Sequence, residues 1–195
     1  MGRSVRLSAP DVRVQQPRPR SAVSFVLSGR GMTPNVTQAT GSSMVEIDLR
    51  PASERDREFL FALHRSTMRD LIEQTWGWDD AWQRDAFQKR FAAYTVSVIE
   101  SGSRSVGSLW LEERPDSLYV HDLQVTPTQQ GRGIGTAVME RVIEQGAGRG
   151  LPVVLSVLQA NPRVLHLYDR LGFRVTEVEP PFIRMRHDAR LAEGV

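Results

Sequence analysis

The 195-residue chain contains no cysteine. Without a thiol it cannot form a disulfide framework, a zinc ribbon, an iron–sulfur cluster or a cysteine-linked intermediate. The same absence fits a reducing compartment, and we expect a cytoplasmic protein. No run of about 18 apolar residues occurs, so the sequence contains no candidate membrane span. His166 and His187 do not stand at metal-ligand spacing from an acidic residue, and we predict no metal site.

Acidic residues are scarce in the first 43 positions, which hold six arginines and a single acid, Asp11. This segment therefore carries a net charge of +5, whereas the remainder of the chain carries −3. It contains four prolines and seven serines without sustained periodicity, and such a composition buries too little apolar surface to offset its ordering entropy. We predict a disordered basic leader or extension over 1–43, ending before a start at Met44. A targeting peptide and a nucleic-acid-binding arm are the alternatives.

From position 44 onward the hydrophobic periodicity predicts one mixed α/β domain, 44–195. The predicted order is β-α-α-β-β-β-α-β-α-β-β. Short turn sequences separate the strands at 94–100, 105–113 and 117–125, which favours antiparallel hairpins. The continuous apolar run at 152–158 is typical of a strand buried on both faces. Helices are expected to begin near Ser53, Asp79, Arg132 and Asn161.

Three glycines at alternate positions, Gly131, Gly133 and Gly135, lead into one of these helices. They remove side chains from one path along the backbone, so that amide groups can face a concavity at a helix N-terminus, where the helix dipole favours an anion. The pattern predicts a phosphate or pyrophosphate cradle. A P-loop would need a lysine and a hydroxyl residue after the last glycine, and a dinucleotide fingerprint would need glycine in place of Thr136. A closely packed glycine-rich turn is the remaining alternative.

Two blocks of the sequence resemble the GNAT superfamily of acyl-CoA-dependent N-acetyltransferases. Gln130-x-x-Gly133-x-Gly135 is similar to the family's Gln/Arg-x-x-Gly-x-Gly/Ala signature, and its lead-in strand matches Leu123-x-Val125-x-Pro127. The second block of the family is matched by Asn161-Pro162, Leu167-Tyr168 and Leu171-Gly172-Phe173. The resemblance covers about 44–187. It implies a mixed, mostly antiparallel sheet of about seven strands flanked by four helices.

The resemblance also implies acetyl-CoA as co-substrate and direct acetyl transfer to an amine in a ternary complex. In the family, the loop backbone holds the pyrophosphate, and the strand before it grips the pantetheine arm and polarises the thioester carbonyl. Asn161 would hydrogen-bond the pantetheine, with helix N-capping as its alternative role. The implied cofactor-binding residues are Leu123, Gln124, Val125, Gln130, Gly131, Arg132, Gly133, Ile134, Gly135, Thr136 and Asn161.

The implied catalytic residues are Tyr168 and His121. Tyr168 stands where family members commonly carry the general acid, because a phenol with a pKa near 10 stays protonated at neutral pH and can protonate the departing thiolate. His121 is the implied general base. Strand alternation predicts that His121 shares a face with Leu123 and Val125, and that Asp122 points to the opposite face in a structural role. Packing without catalysis is the alternative role for Tyr168 and His121.

The family places its acceptor pocket between the first two helices, where Trp76, Trp78 and Asp79 stand. Aromatic rings beside one carboxylate suit a cationic amine, and plain core packing is the alternative. We expect a small-molecule or peptide amine as acceptor, without a membrane or nucleic-acid partner. A homodimer, common in the family, is left open by the sequence. The alternative function is a non-catalytic acyl-CoA-binding regulatory module of the same fold.

Overall fold

The computed structural model of the chain describes residues 25–26 and 46–188. Its elements in chain order are β1 (Phe25–Val26), β2 (Asp48–Pro51), α1 (Arg57–Trp76), α2 (Asp80–Ala93), β3 (Thr95–Ser101), β4 (Arg104–Arg114), β5 (Ser117–Val125), α3 (Ile134–Ala147), β6 (Val153–Leu158), α4 (Pro162–Arg170), β7 (Arg174–Glu179) and β8 (Phe182–His187). From β2 onward, seven strands and four helices follow the predicted order. Apart from the two residues of β1, the predicted leader 1–43 lies outside the described residues, and its disorder stays a prediction.

The strands form one mixed sheet in the order β2-β3-β4-β5-β6-β8-β7. Neighbouring strands in this order are antiparallel, except that β5 and β6 are parallel. The hairpins that join β3 to β4 and β4 to β5 have two-residue turns at 102–103 and 115–116. The expected fold, a mostly antiparallel seven-stranded sheet with four helices, is confirmed.

The parallel strands β5 and β6 part halfway along. Residues 118–120 pair with 153–155, whereas β5 continues to Val125. Beyond the paired part, β1 runs parallel to β5 beside Asp122 and Leu123. Because the carboxyl ends of parallel strands meet at the same edge of a sheet, the helices that follow β5 and β6 begin at the same edge. This edge is where the glycine loop and the start of α4 face each other.

Helices cover both faces of the sheet, which gives the three-layer arrangement of an α/β domain. On one face α3 contributes Val138 and Val142 to the largest apolar cluster. On the other face α1 and α2 pack Leu60, Phe61 and Phe87 against β3 and β4. Each such fully buried side chain contributes about 1.5–3 kcal/mol relative to exposure. Among the residues that the structure describes, no helix has both the length and the apolar character that crossing a membrane requires.

Candidate active site

The glycine loop makes the connection between β5 and α3. Gly131 and Gly133 have φ angles of 75° and 81°, a left-handed conformation that residues with side chains rarely adopt. The amide group of Gln130 donates to the Val125 carbonyl over 2.8 Å, which ties the loop to the end of β5. Because α3 begins at Ile134, directly after the loop, the amides of its first turn lack partners within the helix. The loop therefore has the geometry of an anion cradle.

A cavity of about 340 Å³ opens between this loop and α4. Its volume falls within the range of small-molecule sites. The predicted cofactor-binding residues that line it are Val125, Gln130, Gly131, Gly133, Ile134, Gly135 and Thr136. The other predicted residues, Leu123, Gln124, Arg132 and Asn161, do not line it. Asn161 is the N-cap residue of α4, but its side chain makes no capping hydrogen bond.

The wall of the cavity that α4 provides was not predicted. It consists of Arg163, Val164, Leu167 and Arg170. Residues spaced by four and seven positions share one face of a helix, so the sequence did carry a signal for this wall. The spacing indicates a cavity wall only once the loop is known to lie opposite α4.

A β-bulge in β5 changes the face on which Asp122 lies. Trp110 of β4 pairs with Asp122, and the next residue, Leu111, pairs with Val120, so that His121 is an extra residue in β5. At such a bulge two successive side chains lie on the same side of the sheet. The side chain of Asp122 therefore points toward α1 and α2, as His121 does, whereas strand alternation had placed them on opposite faces. Leu123 and Val125 pack toward α3, so the prediction that His121 shares their face is wrong.

His121 is fully buried, and its ring stacks on Tyr94 with 3.8 Å between the ring centroids. Its Nε2 lies 2.9 Å from a carboxylate oxygen of Glu112. In the neutral ring Nε2 must then carry the hydrogen, which leaves Nδ1 with a lone pair and without a partner. Burial lowers the pKa of His121 to about 4, although Glu112 acts in the opposite direction. Glu112, which the sequence did not single out, thus fixes the tautomer of this histidine.

Asp122 belongs to a buried polar network with α1 and α2. Gln124 Nε2 donates to Asp122 Oδ2 over 3.2 Å and to His64 Nδ1 over 3.3 Å. His64 Nε2 in turn lies 3.1 Å from Gln83 Oε1, which can only accept, so His64 is the neutral tautomer with its hydrogen on Nε2. Burial lowers the pKa of His64 to about 4, in agreement with this assignment.

The second carboxylate oxygen of Asp122, Oδ1, has no hydrogen-bond partner in the part of the chain that the structure describes. Burial raises the pKa of Asp122 to about 7, although the nearby guanidinium of Arg90, 3.4 Å from Oδ2, lowers it. Near neutral pH this carboxyl group is therefore present in both protonation states, as a general base or acid must be.

Tyr168 of α4 is fully buried and packs against Phe173, with 5.2 Å between the ring centroids. Its hydroxyl has no hydrogen-bond partner within residues 46–188. Burial, and then the charge of Asp122, raise the pKa of Tyr168 well above its ordinary value. The phenol therefore stays protonated at every pH at which the protein is expected to work.

The three residues proposed from sequence as acceptor contacts all take part in packing or capping. Asp79 caps α2 by accepting from the backbone amide of Trp82 over 2.9 Å. Trp78 donates to Asp80 over 2.9 Å, and its ring faces His64 at 5.9 Å. Trp76 lies 5.9 Å from the ring of Phe182. These contacts explain why the residues are present, and their role toward an acceptor stays a prediction.

The family model of the acetyltransferase (GNAT) family matches residues 58–173, more than half of the chain. The chain therefore belongs to the GNAT acetyltransferase family, as its two sequence blocks predicted. The matched region begins in α1 and ends just after α4, so it includes the loop, the bulge and Tyr168.

Proteins similar in sequence to this chain include N-acetyltransferases. An uncharacterized N-acetyltransferase of Methanocaldococcus jannaschii is 38% identical over 96 residues, 45% of this chain and 42% of that protein. The N-alpha-acetyltransferase RimI of Mycobacterium tuberculosis is 33% identical over 113 residues, 54% of this chain and 69% of that protein. This chain thus spans less than half the length of the first relative. Among solved structures, the PaiA N-acetyltransferase of Thermoplasma acidophilum in complex with coenzyme A shares the fold, with a TM-score of 0.61 at 14% identity over 73% of this chain and 99% of that one.

Proposed function

We propose that the protein transfers an acetyl group from acetyl-CoA directly to a primary amine within a ternary complex. The observation that carries this proposal is that three of the five buried side-chain polar atoms without a partner among the described residues belong to candidate catalytic groups: His121 Nδ1, Asp122 Oδ1 and the Tyr168 hydroxyl. Buried polar groups are satisfied in the great majority of cases, so such a group calls for an explanation. Two of these residues form the β5 bulge, the third is coupled to Asp122 by charge, and all three are suited to move a proton.

The residues present fit the co-substrate. The cradle of the glycine loop is open, since a Cβ added at Gly131 would meet no atom within 4 Å. Backbone amides there would hold the pyrophosphate, and backbone groups of 123–125 would hold the pantetheine arm, with Asn161 as a further contact. In the described structure β1 pairs with the β5 backbone at Asp122 and Leu123, so binding of the pantetheine arm would have to displace β1. Acetyl-CoA supplies the activated acetyl group as a thioester.

Acetyl transfer exchanges a carbon–sulfur bond for a carbon–nitrogen bond. It also requires two proton transfers, one from the amine and one to the departing thiolate. The amine nitrogen bonds to the thioester carbon, the carbon–sulfur bond breaks, and the sulfur leaves as a thiolate. Tyr168 would donate its phenolic proton to that sulfur. Its raised pKa keeps the phenol protonated beforehand, although it also makes the phenol a weaker acid. The proton that the nitrogen loses would go to the bulge.

The bulge offers two acceptors for that proton. His121 carries the lone pair on Nδ1 and is oriented by Glu112, which is the arrangement of a base held by a carboxylate. Asp122 carries the free Oδ1, and its pKa of about 7 lies nearer the expected working pH than that of His121. We assign proton acceptance to this pair, with Asp122 as the group that titrates in the working range.

The acceptor is proposed only as a class, a small-molecule or peptide amine. The name of the mycobacterial relative, an N-alpha-acetyltransferase, supports an amine nitrogen as the site of acetylation. The absence of cysteine supports the cytoplasmic location that the sequence suggested.

The first test is calorimetric titration of acetyl-CoA into the parent chain, Gly131→Asp and Gly150→Asp. Both glycines have positive φ, at 75° and 66°, and a Cβ added at either would meet no atom within 4 Å. The two variants therefore carry similar backbone strain, but only Gly131 lines the cavity. We expect Gly131→Asp to weaken binding at least about tenfold, since the carboxylate repels the phosphates, and Gly150→Asp to bind like the parent.

A panel of amines with thiol-release detection then tests turnover. Release of coenzyme A that depends on the amine supports the transferase. Binding without turnover on the whole panel would instead favour the non-catalytic acyl-CoA-binding module. A folded parent chain that fails to bind acetyl-CoA would remove both functions.

A further inference from the structure

The strand β7 stands at one end of the sheet. Among the strands that the structure describes it pairs with β8 alone, so its outer edge faces no other strand. All six of its residues, Arg174–Glu179, are exposed. Because an edge strand presents a row of unpaired backbone N–H and C=O groups, it can pair with a strand of another chain. The outer edge of β7 is therefore a candidate interaction surface.

Two valines make this strand apolar at its surface. Val175 and Val178 have exposed fractions of 53% and 57%, and among the described residues the third large apolar side chain that is exposed is Trp82, on α2. Valine favours strands in which its side chain packs against neighbours. Two exposed valines in one six-residue strand therefore mark a surface that would gain stability from being covered.

A β-bulge places both valines on the same face of the sheet. Val175 pairs with Met185, and Glu177 pairs with the adjacent Arg184, so Thr176 is an extra residue in β7. Residues three positions apart in a regular strand point to opposite faces, whereas one extra residue between them brings them to the same face.

The pairing with β8 identifies this face. Side chains directly opposite each other lie on the same side of a sheet, and Val175 and Val178 lie opposite Met185 and Ile183. Met185 belongs to the largest apolar cluster, and Ile183 packs against that cluster. The valines therefore continue the core face of the sheet to its edge, where they stay exposed.

The order of residues along β7 is symmetric about the centre of the strand. A second copy running antiparallel, with a two-fold axis between Thr176 and Glu177, would place Val175 of one chain opposite Val178 of the other. Because the two valines share a face, the four valines of the two copies would form one apolar cluster.

The charged residues at the ends of β7 obey the same symmetry. The two-fold axis would place Arg174 of one copy opposite Glu179 of the other, twice over. Both side chains lie on the face opposite to the valines, as their pairing with Arg186 and Phe182 shows. Within residues 46–188 neither of them forms a salt bridge. The strand is thus complementary to a second copy of itself in apolar contact and in charge.

We propose that the chain forms a symmetric homodimer in which the outer edges of two β7 strands pair antiparallel around this two-fold axis. Such an interface uses the same patch on both copies. Backbone hydrogen bonds join the two sheets into one, the valines cover each other on the core face, and Arg174 pairs with Glu179 on the other face. Because the interface consists of one short strand per chain, we expect a dissociation constant on the order of micromolar. This inference does not depend on the proposed function.

Sedimentation equilibrium of the full chain measures the association. Between about 1 and 500 μM the average mass should rise from that of one chain, 22.0 kDa, toward twice that value. Val175→Thr combined with Val178→Thr should weaken the dimer at least about tenfold, because each substitution removes apolar contact on both sides of the axis. Threonine is also β-branched, so the strand should persist. Trp82→Gln removes an exposed apolar side chain on α2 and should associate like the parent.

The charged pairs test the register. Arg174→Glu places two acids opposite each other, and Glu179→Arg places two arginines opposite each other, so each variant alone should associate about tenfold more weakly than the parent. An equimolar mixture of the two variants should regain the parental association, because the two strands then carry opposite charges at both ends. Arg141→Glu, at an exposed position of α3, is the charge-reversal control and should associate like the parent.

A parent that stays at 22.0 kDa throughout overturns the proposal. In such a monomer, outer amides of β7 that resist hydrogen exchange would assign the edge to another segment of the same chain. Association that is unchanged in the valine and charge variants also overturns it, since another surface would then join the copies. If both charge variants associate weakly and their mixture does not recover, the antiparallel register is wrong. If circular dichroism shows that the double valine variant does not fold, the charge variants and their mixture decide, because they alter exposed side chains only.

Discussion

The candidate active site consists mostly of backbone groups on one face of β5 and of side chains on the other. Toward α3 the site is mostly main chain from one contiguous segment, because the loop follows β5 directly and is tied back to Val125. Toward α1 and α2 it consists of side chains from distant positions, such as Glu112 against His121 and His64 against Gln124. A site formed by backbone groups is altered by few substitutions. A site formed by contacts between distant side chains is altered by a substitution at any of them. The second face is therefore where we expect acceptor specificity to be determined.

The largest expected effect is on Tyr168, which reaches the site from the α4 side. Tyr168→Phe removes the proposed proton donor, and we expect kcat to fall about 100-fold or more while the acetyl-CoA dissociation constant stays within twofold. The free energy of unfolding should stay equal or rise, because the variant removes a buried hydroxyl without a partner. Steady-state kinetics, calorimetry and urea denaturation measure these three quantities.

Tyr119→Phe is the matched control. The Tyr119 hydroxyl lies 2.9 Å from the Ser156 hydroxyl, so this variant should lose about 1 kcal/mol of stability and keep kcat within a few-fold. If both tyrosine variants lower kcat equally, Tyr168 has no special role in proton transfer.

The next effect concerns the pH dependence of kcat/KM, which separates the two candidate bases at the bulge. A base acts when deprotonated, so with Asp122 as acceptor the rate rises with pH through about 7. His121, with a pKa of about 4, is already neutral above about pH 5 and would add no limb near 7. We expect Asp122→Asn to lose the limb near pH 7 with about 10- to 100-fold lower activity, and His121→Gln to retain it.

The same acceptor amine must be used throughout this series, because its own titration contributes equally to every variant. Glu112→Gln adds a check on the histidine: loss of the carboxylate should lower activity without moving the limb near pH 7. A limb that disappears in His121→Gln but persists in Asp122→Asn would assign the base to the histidine.

The sequence predicted those features of the fold that depend on residues close together in the chain. The N-cap position at Asn161 and the element order were predicted, because each depends on neighbouring residues. The helix after the glycine loop was also predicted, although its start was placed at Arg132 and α3 begins two residues later, at Ile134. The bulge at His121 was not, since one extra residue in a strand leaves the apolar pattern on both sides intact. Glu112 and the α4 wall were also missed, because their roles arise only from contacts between segments far apart in the chain.

A smaller effect, on the free energy of unfolding, should distinguish the two faces of β5. Gln124→Leu removes the donor that serves both His64 and Asp122, so we expect the free energy of unfolding to fall by about 1–3 kcal/mol. Acetyl-CoA affinity should change little, because the β5 backbone is kept. Gln88→Leu, at an exposed position of α2, should change stability by less than about 0.5 kcal/mol. Equal losses in the two variants would mean that the buried network contributes nothing of its own.

The smallest expected effect concerns β1, which pairs with β5 at the parted strands. A two-residue strand makes few hydrogen bonds, each worth about 0.5–1.5 kcal/mol net, so each bond that must break should weaken acetyl-CoA binding by about two- to tenfold. A chain that begins at Met44 should therefore bind acetyl-CoA more tightly, by about that factor for each bond released, as calorimetry would show. The first 43 residues also carry +5, however, and their loss removes an attraction for the anionic ligand.

Replacing Phe25 and Val26 by proline in the full chain separates these two contributions. Proline removes the backbone donors of β1 and leaves all six arginines of the segment in place. If β1 competes with the co-substrate, the proline variant should bind more tightly than the parent and at least as tightly as the shortened chain, because it keeps the charge and loses only the pairing. If the proline variant binds like the parent, the pairing does not oppose binding, and the backbone of β5 would be open to the pantetheine arm while β1 is in place.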